Sequence, residues 1–428
     1  MRILKTNNNN DRKIIEGLIA KPVSVFKEYE SIVEDILKEI KAKGDSALIR
    51  YAKEFDKVDL EKEELRVAQS EIQAAYKEVK ESEVELIKKA AQRIESFHKK
   101  QLQNSWFTTE ENGTFLGQLV RPIERVGIYV PGGKAIYPSS LLMNAIPAKV
   151  AGVKEIVMCS PAQKSKKLHP LLLVAADIVG VNEIYRVGGV QAIGALAYGT
   201  EKIARVFTIV GPGNIYVATA KKMIYGDVGV DLIAGPSEVL VIADEGADPI
   251  YIAADLLSQA EHDEKASVML ITDSERLAKD VQKEVATQVS GQSREDIMIA
   301  SVERAGIIII TRDIEEAFCL ANQFASEHLE IFLDNPFQYL GRIKSAGTVF
   351  LGKYTPEPIG DYIAGPNHVL PTGGTARFSS SLGVQNFIKR INVVYYSKES
   401  IKIDGPDAAA FARLEGLEAH EGSIKKRL

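Results

Sequence analysis

The chain has 428 residues, of which 45% are hydrophobic and 26% are charged, so it is long enough for two or more domains that each bury a core. Its formal net charge is -5. Lys and Arg are spread along the chain, which argues against a nucleic-acid or anionic-membrane partner. No apolar run approaches the roughly 20 residues that span a bilayer, and the first residues lack the apolar segment of a signal peptide. We therefore expect a cytoplasmic protein, with Cys159 and Cys319 as buried free thiols.

The first part of the chain, residues 1–105, is predicted to be mostly helical. Segments such as 31–41 and 81–100 repeat apolar residues at helical spacing among Glu and Lys, and no ligand pattern is present there. From Gly117 to Tyr225, short apolar β-rich runs alternate with helical stretches. Near-continuous apolar strands separated by helices are typical of a parallel sheet that is covered on both faces. This part predicts a doubly wound domain.

A second series of the same kind begins near Ser237 and ends with the apolar run 347–351. It includes a predicted strand over 238–243 and predicted helices over 249–260 and 313–325. The predicted fold class is α/β, with two doubly wound (Rossmann-like) parallel-sheet domains, a helical N-terminal segment and a C-terminal tail. The predicted domains are 1–105, the helical segment that packs on the core; 106–236, the first α/β domain; 237–385, the second α/β domain; and 386–428, a C-terminal tail of a kind that often docks on another surface.

The six histidines are the first place to look for chemistry. His262, His328 and His420 each lie beside a carboxylate, and a neutral imidazole both binds metals and moves protons near pH 7. Gln259 and His262 are three residues apart near the end of a helix, which places both side chains on one face, as in a metal site. Asp361 could add an oxygen ligand of the kind that zinc accepts. A satisfied surface pair and an ordinary turn aspartate remain the alternatives.

Glu327 and His328 follow a predicted helix and precede a predicted strand, so both can lie at a sheet edge, where ligand crevices of α/β folds form. A glutamate beside a histidine offers one group to activate water and one to take an alcohol proton. An ion-paired or capping dyad is the alternative. His420 lies in a polar tail, where an ordinary solvated histidine is the simpler interpretation, unless the tail completes a site on a neighbouring subunit. His368 could support the loop that carries Asp361.

Glycine-rich turns give a softer signal for a nucleotide. The chain has no GxGxxG between a first strand and its helix, so the standard dinucleotide fingerprint is absent. Turns at 129–134, 188–191 and 211–214 each follow a predicted strand. They would bring backbone amides or polar side chains to the carboxyl edge of the sheet, where phosphates and ribose hydroxyls are commonly bound.

Long motifs in the chain resemble those of the histidinol dehydrogenase family, and the match runs nearly from end to end. They occur in the expected order and spacing: Tyr-Val-Pro-Gly-Gly at 129–133, Gly-Pro-Gly-Asn at 211–214, Ala-Gly-Pro-Ser-Glu at 234–238, Gln-Ala-Glu-His-Asp at 259–263, Ser-Glu-His-Leu-Glu at 326–330, Gly-Asp-Tyr at 360–362, Gly-Pro-Asn-His-Val-Leu-Pro-Thr at 365–372 and Glu-Gly-Leu-Glu-Ala-His at 415–420.

The resemblance implies a homodimeric oxidoreductase with one zinc ion per subunit, which converts L-histidinol to L-histidine through the aldehyde and reduces two NAD. It also implies residue roles. Zinc would be held by Gln259, His262, Asp361 and His420, the last from the other subunit; substrate would be contacted by these four and by Ser237, His328 and Glu415; NAD would contact Tyr129, Gln191 and Asn214; and Glu327 and His328 would be catalytic.

In the implied mechanism, His328 takes the alcohol proton and Glu327 activates water onto the aldehyde, while zinc orients the substrate through its imidazole and amine. Two alternatives stay open. A related NAD-dependent dehydrogenase of another polar alcohol would keep the zinc and nucleotide residues. A zinc-dependent hydrolase or a non-redox metal-binding protein would need no nucleotide, but the HExxH pattern is absent and the glycine turns would then be unexplained.

Overall fold

The computed structural model describes residues 1–20, 26–132, 136–233 and 235–428. The α-helices are α1 (Asn9–Ile19), α2 (Glu30–Lys43), α3 (Asp45–Tyr51), α4 (Gln69–Glu78), α5 (Glu81–Lys99), α6 (Pro138–Ala151), α7 (Pro170–Val179), α8 (Gly189–Tyr198), α9 (Ile215–Ile224), α10 (Pro249–Ala260), α11 (Glu275–Gln288), α12 (Glu295–Ala305), α13 (Ile314–Phe324), α14 (Glu357–Ile359), α15 (Ser400–Leu414) and α16 (Glu418–Lys425).

The β-strands are β1 (Arg2–Lys5), β2 (Trp106–Thr109), β3 (Phe115–Pro122), β4 (Arg125–Tyr129), β5 (Glu155–Cys159), β6 (Glu183–Tyr185), β7 (Thr208–Val210), β8 (Gly229–Val230), β9 (Glu238–Ala243), β10 (Ser267–Thr272), β11 (Ile307–Ile310), β12 (His328–Phe332), β13 (Thr348–Leu351) and β14 (Ile388–Tyr395). Within the described ranges, no helix is both long and apolar enough to cross a membrane.

The first parallel sheet has the strand order β6-β5-β4-β7-β8. Alternate residues of its strands bury against helices on the two faces: Ile128 belongs to the core that includes α6 and α7, whereas Tyr129 belongs to the core that includes α2 and α8. The N-terminal helices complete both layers, because α2 packs on α8 and α9 while α5 packs on α6. The prediction of a doubly wound sheet with a helical N-terminal segment on it is confirmed.

The second parallel sheet has the order β1-β11-β10-β9-β12-β13. Helices α10, α11 and α12 cover one face, and α1 and α13 cover the other. Strand β1 was not predicted: Arg2 to Lys5 pair in parallel with Ile307 to Ile310, so the start of the helical segment forms an edge strand of this sheet. Cys319 on α13 is exposed, so the prediction of two buried thiols is right only for Cys159.

The C-terminal segment is more ordered than a tail. Strand β14 pairs antiparallel with β3, which also pairs with β2, in a separate three-stranded sheet. Helices α15 and α16 then pack on each other. Asp404 on α15 accepts hydrogen bonds from Asn112 at 2.7 Å and Tyr396 at 2.9 Å, and these bonds tie the helical pair to the small sheet.

Candidate active site

Glu327 and His328 lie where strand β12 begins, inside the second sheet. Helix α13 is followed by Ala325, whose φ of 51° turns the chain into the strand. His328 pairs with Val239 of β9 on one side and with Thr348 of β13 on the other. The two side chains therefore lie, as predicted, where the sheet meets a loop. This is the amino end of the parallel strands, whereas ligand crevices in open α/β sheets usually form at the carboxyl ends.

The surroundings of these two residues determine what each can do. Nδ1 of His328 lies 3.0 Å from the carbonyl oxygen of Glu238. Because a carbonyl oxygen only accepts, Nδ1 carries the proton and Nε2 keeps its lone pair. Burial lowers the pKa of His328 to about 4, so the ring is neutral at pH 7. Burial also raises the pKa of Glu327 well above its ordinary value, although its Oε2 accepts the backbone N–H of Glu238 at 2.9 Å.

Glu357 and Asp361 face the free nitrogen of His328. Glu357 begins α14, which continues into a π-helical turn over Gly360–Ala364, so the two carboxyl groups lie about one turn apart. Their nearest oxygens are 3.7 and 3.9 Å from Nε2 of His328. Burial, reinforced by the charge of Asp361, raises the pKa of Glu357 to about 9. One ligand atom from each of the three residues lies within 4.8 Å of the others, which is close enough for a metal ion.

Gln259 lies in the last turn of α10, and His262 follows the helix. Gln259 is fully buried, yet neither its Oε1 nor its Nε2 has a hydrogen-bond partner among the described residues. An unsatisfied buried amide costs about 1–3 kcal/mol, so a ligand from outside the chain would relieve it. His262 is exposed. Burial lowers the pKa values of His328 and His368, and the nearby His262 lowers them further.

His368 supports the loop that carries Asp361, as predicted. Its Nδ1 donates to the backbone carbonyl oxygen of Asp361 at 3.1 Å. The ring is largely buried, with its side chain 12% exposed. The carboxylate of Asp361 therefore lies between the rings of His328 and His368.

The glycine-rich turns meet at the carboxyl edge of the first sheet. Tyr129 ends β4, and its hydroxyl accepts the backbone N–H of Gly189 at 3.1 Å. A Cβ atom on Gly211, whose φ is 118°, would overlap the carbonyl oxygen of Tyr129, so glycine is required for this close approach. The predicted gathering of the three turns is confirmed, except that Gly133 and Lys134 lie outside the described residues.

Polar side chains at this edge are available to a ligand. Gln191 is buried, and its Oε1 has no hydrogen-bond partner among the described residues. Asn214 is exposed and caps α9 by accepting the backbone N–H groups of Tyr216 and Val217, each at 3.1 Å. The first sheet thus offers a polar edge separate from the cluster around His328.

Comparison with known proteins decides the family. A family model described as histidinol dehydrogenase matches residues 20–428. The chain belongs to the histidinol dehydrogenase family. It is 54% identical over 405 residues to the histidinol dehydrogenase of Carboxydothermus hydrogenoformans, with 95% of each chain covered. It is 49% identical over 429 residues to that of Geobacter sulfurreducens, with 100% of each chain covered.

A solved structure of a histidinol dehydrogenase supports the fold. The crystal structure of the enzyme from Elizabethkingia anophelis matches with a TM-score of 0.94 and 38% identity, covering 100% of this chain and 98% of that chain. The predicted fold class is therefore confirmed.

Two residues that the histidinol dehydrogenase motifs single out lie apart from the cluster within one chain. Glu415 follows α15 and His420 lies on α16, and both are exposed. Neither side chain makes a hydrogen bond within the ranges that the structure describes. Ser237 immediately precedes β9, next to the Glu238 that holds His328, while Ala234 of the same motif lies outside the described residues.

Sequence reasoning missed two glutamates that contact His328, which are Glu357 and Glu238. Glu357 precedes Asp361 by four residues, and this one-turn spacing was the available signal, but the surrounding prolines and glycine predicted a loop. Glu238 begins a strand like any other polar residue at that position. Burial raises its pKa to about 7, although its carboxyl oxygen accepts the backbone N–H of Gly373 at 3.2 Å.

Proposed function

We propose that the chain oxidises L-histidinol to L-histidine through the aldehyde, with reduction of two NAD, as the last step of histidine biosynthesis. Family membership supports the substrate and the reaction. The observation that carries the proposal is the neutral ring of His328, whose unprotonated Nε2 lies beside a buried cluster of carboxyl groups. Another polar alcohol or a non-redox role is not favoured, since the similar relatives are named histidinol dehydrogenase.

His328 would hold the proton of each oxidation. Its Nε2 takes the hydroxyl proton while the C–H bond of the carbinol breaks, and Nδ1 stays bonded to the carbonyl oxygen of Glu238. Bound NAD supplies the hydride acceptor for both oxidations. We place it at the carboxyl edge of the first sheet, where Tyr129, Gln191 and Asn214 would contact it. The unpaired Oε1 of Gln191 suits a hydroxyl or amide donor of the nucleotide.

Glu327 would act between the two oxidations. It takes a proton from water that adds to the aldehyde carbon, and the product is a gem-diol with one remaining C–H bond. His328 must first release the proton of the first oxidation to solvent. Breaking the remaining C–H bond of the gem-diol, with one hydroxyl proton passing to His328, then gives the carboxylic acid, which ionises to the carboxylate. Only the ionised form of Glu327 can take the proton of water; burial raises the pKa of Glu327, and the positive charge of bound zinc would favour the ionised form.

Bound zinc supplies a cation that orients the imidazole and amine of the substrate. Its ligands would be Gln259, His262, Asp361 and, from the second subunit, His420. The unpaired amide of Gln259 fits this assignment, because its Oε1 is a buried acceptor without a donor. The raised pKa values of Glu327 and Glu357 also fit, because a positive charge nearby would stabilise their ionised forms.

The assembly that we propose is a homodimer in which the C-terminal segment of each chain completes the site of the other. Its helices expose apolar side chains that a partner would cover: Phe411 is 65% exposed and Leu414 is 84% exposed. The exposed positions of Glu415 and His420 support the same arrangement. The division into 1–105, 106–236, 237–385 and 386–428 and the cytoplasmic location stay predictions.

The experiment that tests the function is the stoichiometry of NADH formed per L-histidinol consumed, with zinc-replete and chelator-stripped protein. We expect two NADH per substrate, loss of turnover on stripping and recovery on addition of zinc. One NADH per substrate would show that the oxidation stops at the aldehyde, and none would exclude histidinol as the substrate.

A further inference from the structure

A cavity of about 430 Å³ lies at the carboxyl edge of the first sheet. Its walls come from the segment after β5, where Ser160 and Pro161 follow the strand, and from Tyr137 before α6. Asp56 adds a carboxyl group from the helical N-terminal segment, where the sequence showed no ligand pattern. The cavity thus borders the residues that we assign to NAD.

The carboxyl group of Asp56 is available to a ligand. It is partly buried, and burial is the cause that raises its pKa to about 6. No donor or cation of the described residues offsets this cost. Lys164 lines the same cavity, but within the described ranges the two side chains form no ion pair. A hydroxyl donor in the cavity would therefore meet an acceptor that has no competing partner.

Asp56 also lies beside the glycine turns. A Cβ atom built on Gly188 would be 3.3 Å from its Oδ1. Gly189, the next residue, donates its backbone N–H to the hydroxyl of Tyr129 at 3.1 Å, so Asp56 and Tyr129 lie on the same turn. Burial and, to a smaller extent, the charge of Asp56 raise the pKa of Tyr129 to about 12.

Tyr137 immediately precedes α6, and the carbonyl oxygen of Met143 on that helix accepts a hydrogen bond from Asn367, in the loop that follows Asp361, at 2.6 Å. The wall formed by Tyr137 is therefore the side of the cavity that leads to the loop of Asp361, and we assign the nicotinamide to that side.

We propose that Asp56 accepts hydrogen bonds from the 2′- and 3′-hydroxyls of the adenosine ribose and thereby selects NAD over NADP. This inference rests on the proposed function, because it assumes a dinucleotide at this edge. A carboxylate can accept from both hydroxyls at once, whereas a 2′-phosphate would bring negative charge against it. In many dinucleotide-binding folds such a carboxylate follows the second strand; in this chain, which lacks the standard glycine fingerprint, the N-terminal helical segment would supply it.

The test is Asp56→Asn, measured by steady-state kinetics with NAD and NADP. Loss of a charged hydrogen-bond acceptor should raise KM for NAD about tenfold or more, while kcat and the KM for L-histidinol stay within about twofold. The ratio of kcat/KM for NADP to that for NAD should rise about tenfold, because the uncharged asparagine no longer repels the 2′-phosphate of NADP. The matched control is Asp59→Asn, because Asp59 is exposed, pairs with Lys53 at 3.1 Å and does not line the cavity.

An unchanged KM for NAD, or an equal loss with NAD and NADP, would overturn the proposal. Calorimetric binding of AMP and 2′-deoxy-AMP separates it from the proposed function, because these probes need no turnover. The unaltered protein should bind AMP more tightly than the deoxy form, and Asp56→Asn should abolish the difference. If the unaltered protein reduces no NAD, the proposed function fails; if it does not discriminate the two probes, the role of Asp56 fails.

Discussion

The Nδ1–H of His328 donates to the backbone carbonyl oxygen of Glu238 at 3.0 Å, and the backbone N–H of Glu238 donates to Glu327 at 2.9 Å. One residue of strand β9 therefore positions both of the groups to which we assign proton transfer. Since these contacts join neighbouring parallel strands, the sheet itself sets the tautomer of His328, and no ordering by substrate is needed.

Glu327→Gln should spare the first oxidation and stall the second. The amide keeps an oxygen that can accept the N–H of Glu238, but it cannot take a proton from water, and loss of a general base typically costs a factor of about 10² to 10⁴. Rapid-quench analysis should show one NADH per site and accumulated aldehyde. The control is Glu315→Gln, at an exposed residue that pairs with Arg342 at 2.9 Å. Equal loss of both oxidations would contradict this division of labour.

Asp255 and Glu330 should make the protein more stable at mildly acidic pH. Burial raises the pKa of Asp255 to about 6 and that of Glu330 well above its ordinary value. Because the folded chain then binds more protons than the unfolded chain, the contribution of Asp255 is complete below its unfolded pKa of about 4 and is lost as pH rises through about 6.

Asp255→Asn should therefore flatten the fall in Tm between about pH 4 and about pH 6. The comparison is Asp280→Asn, whose carboxyl group is 45% exposed and lies 3.5 Å from Arg276. A pH dependence of Tm that is the same in the Asp255 variant and the unaltered protein would rule out this pair as its source.

Lys221→Met should destabilise the protein and weaken NAD binding. Lys221 and Asp231 form a buried ion pair, and both residues also bind Gly211 in the turn before Asn214. The Nζ of Lys221 donates to the carbonyl oxygen of Gly211 at 2.9 Å, and Asp231 accepts the backbone N–H of Gly211 at 2.8 Å. Removal of one partner from a buried pair costs about 3–5 kcal/mol, which urea unfolding would measure.

The neighbouring Lys222 provides the control for this variant. It lies on the same helix but is exposed, and it pairs with Glu30 at 2.9 Å, so Lys222→Met should change the free energy of unfolding by less than about 1 kcal/mol. The KM for NAD should rise only in the Lys221 variant. Similar losses of stability in both variants would show that the buried pair is not what holds the turn.

Mixing two inactive variants should restore activity if the C-terminal segments are exchanged between subunits. His262→Ala and His420→Ala each damage both sites of a homodimer, but a mixed dimer contains one intact site. Random mixing in equal amounts should restore roughly a quarter of full activity, since half of the dimers are mixed and each has one working site.

A second pair of variants gives the control. His262→Ala mixed with Gln259→Ala should stay inactive. Gln259 lies on α10 and His262 follows that helix, so both changes fall in the same part of the site and every site in a mixed dimer carries one of them. If the pair with His420→Ala also gains nothing over its components after refolding together, each segment completes the site of its own chain instead.

Much of the fold was predictable because the patterns that specify it are local. Helix α10 begins and ends as predicted, since Asp248 and Pro249 mark its start in the sequence. Strand β9 was also predicted with its observed bounds, because a six-residue run of mainly apolar residues follows a turn.

The convergence of distant residues was less predictable. The motifs placed His328 and Asp361 among the site residues, but their spacing alone did not show that Nε2 of His328 faces Glu357, because that contact depends on how α14 packs against β12. Asp56 gave no signal at all, since an aspartate at the end of an amphipathic helical segment is ordinarily a solvated surface residue. Local periodicity does not report such long-range contacts.

Strand β1 pairs with β11 although about 300 residues separate them. At a synthesis rate of about 5–20 residues per second, Arg2–Lys5 must wait roughly 15 to 60 s for Ile307–Ile310 to be made. Every strand of the first sheet leaves the ribosome during that interval, so the first sheet can fold while the first strand of the chain is still unpaired. The earliest residues to be synthesised are thus among the last to find their place.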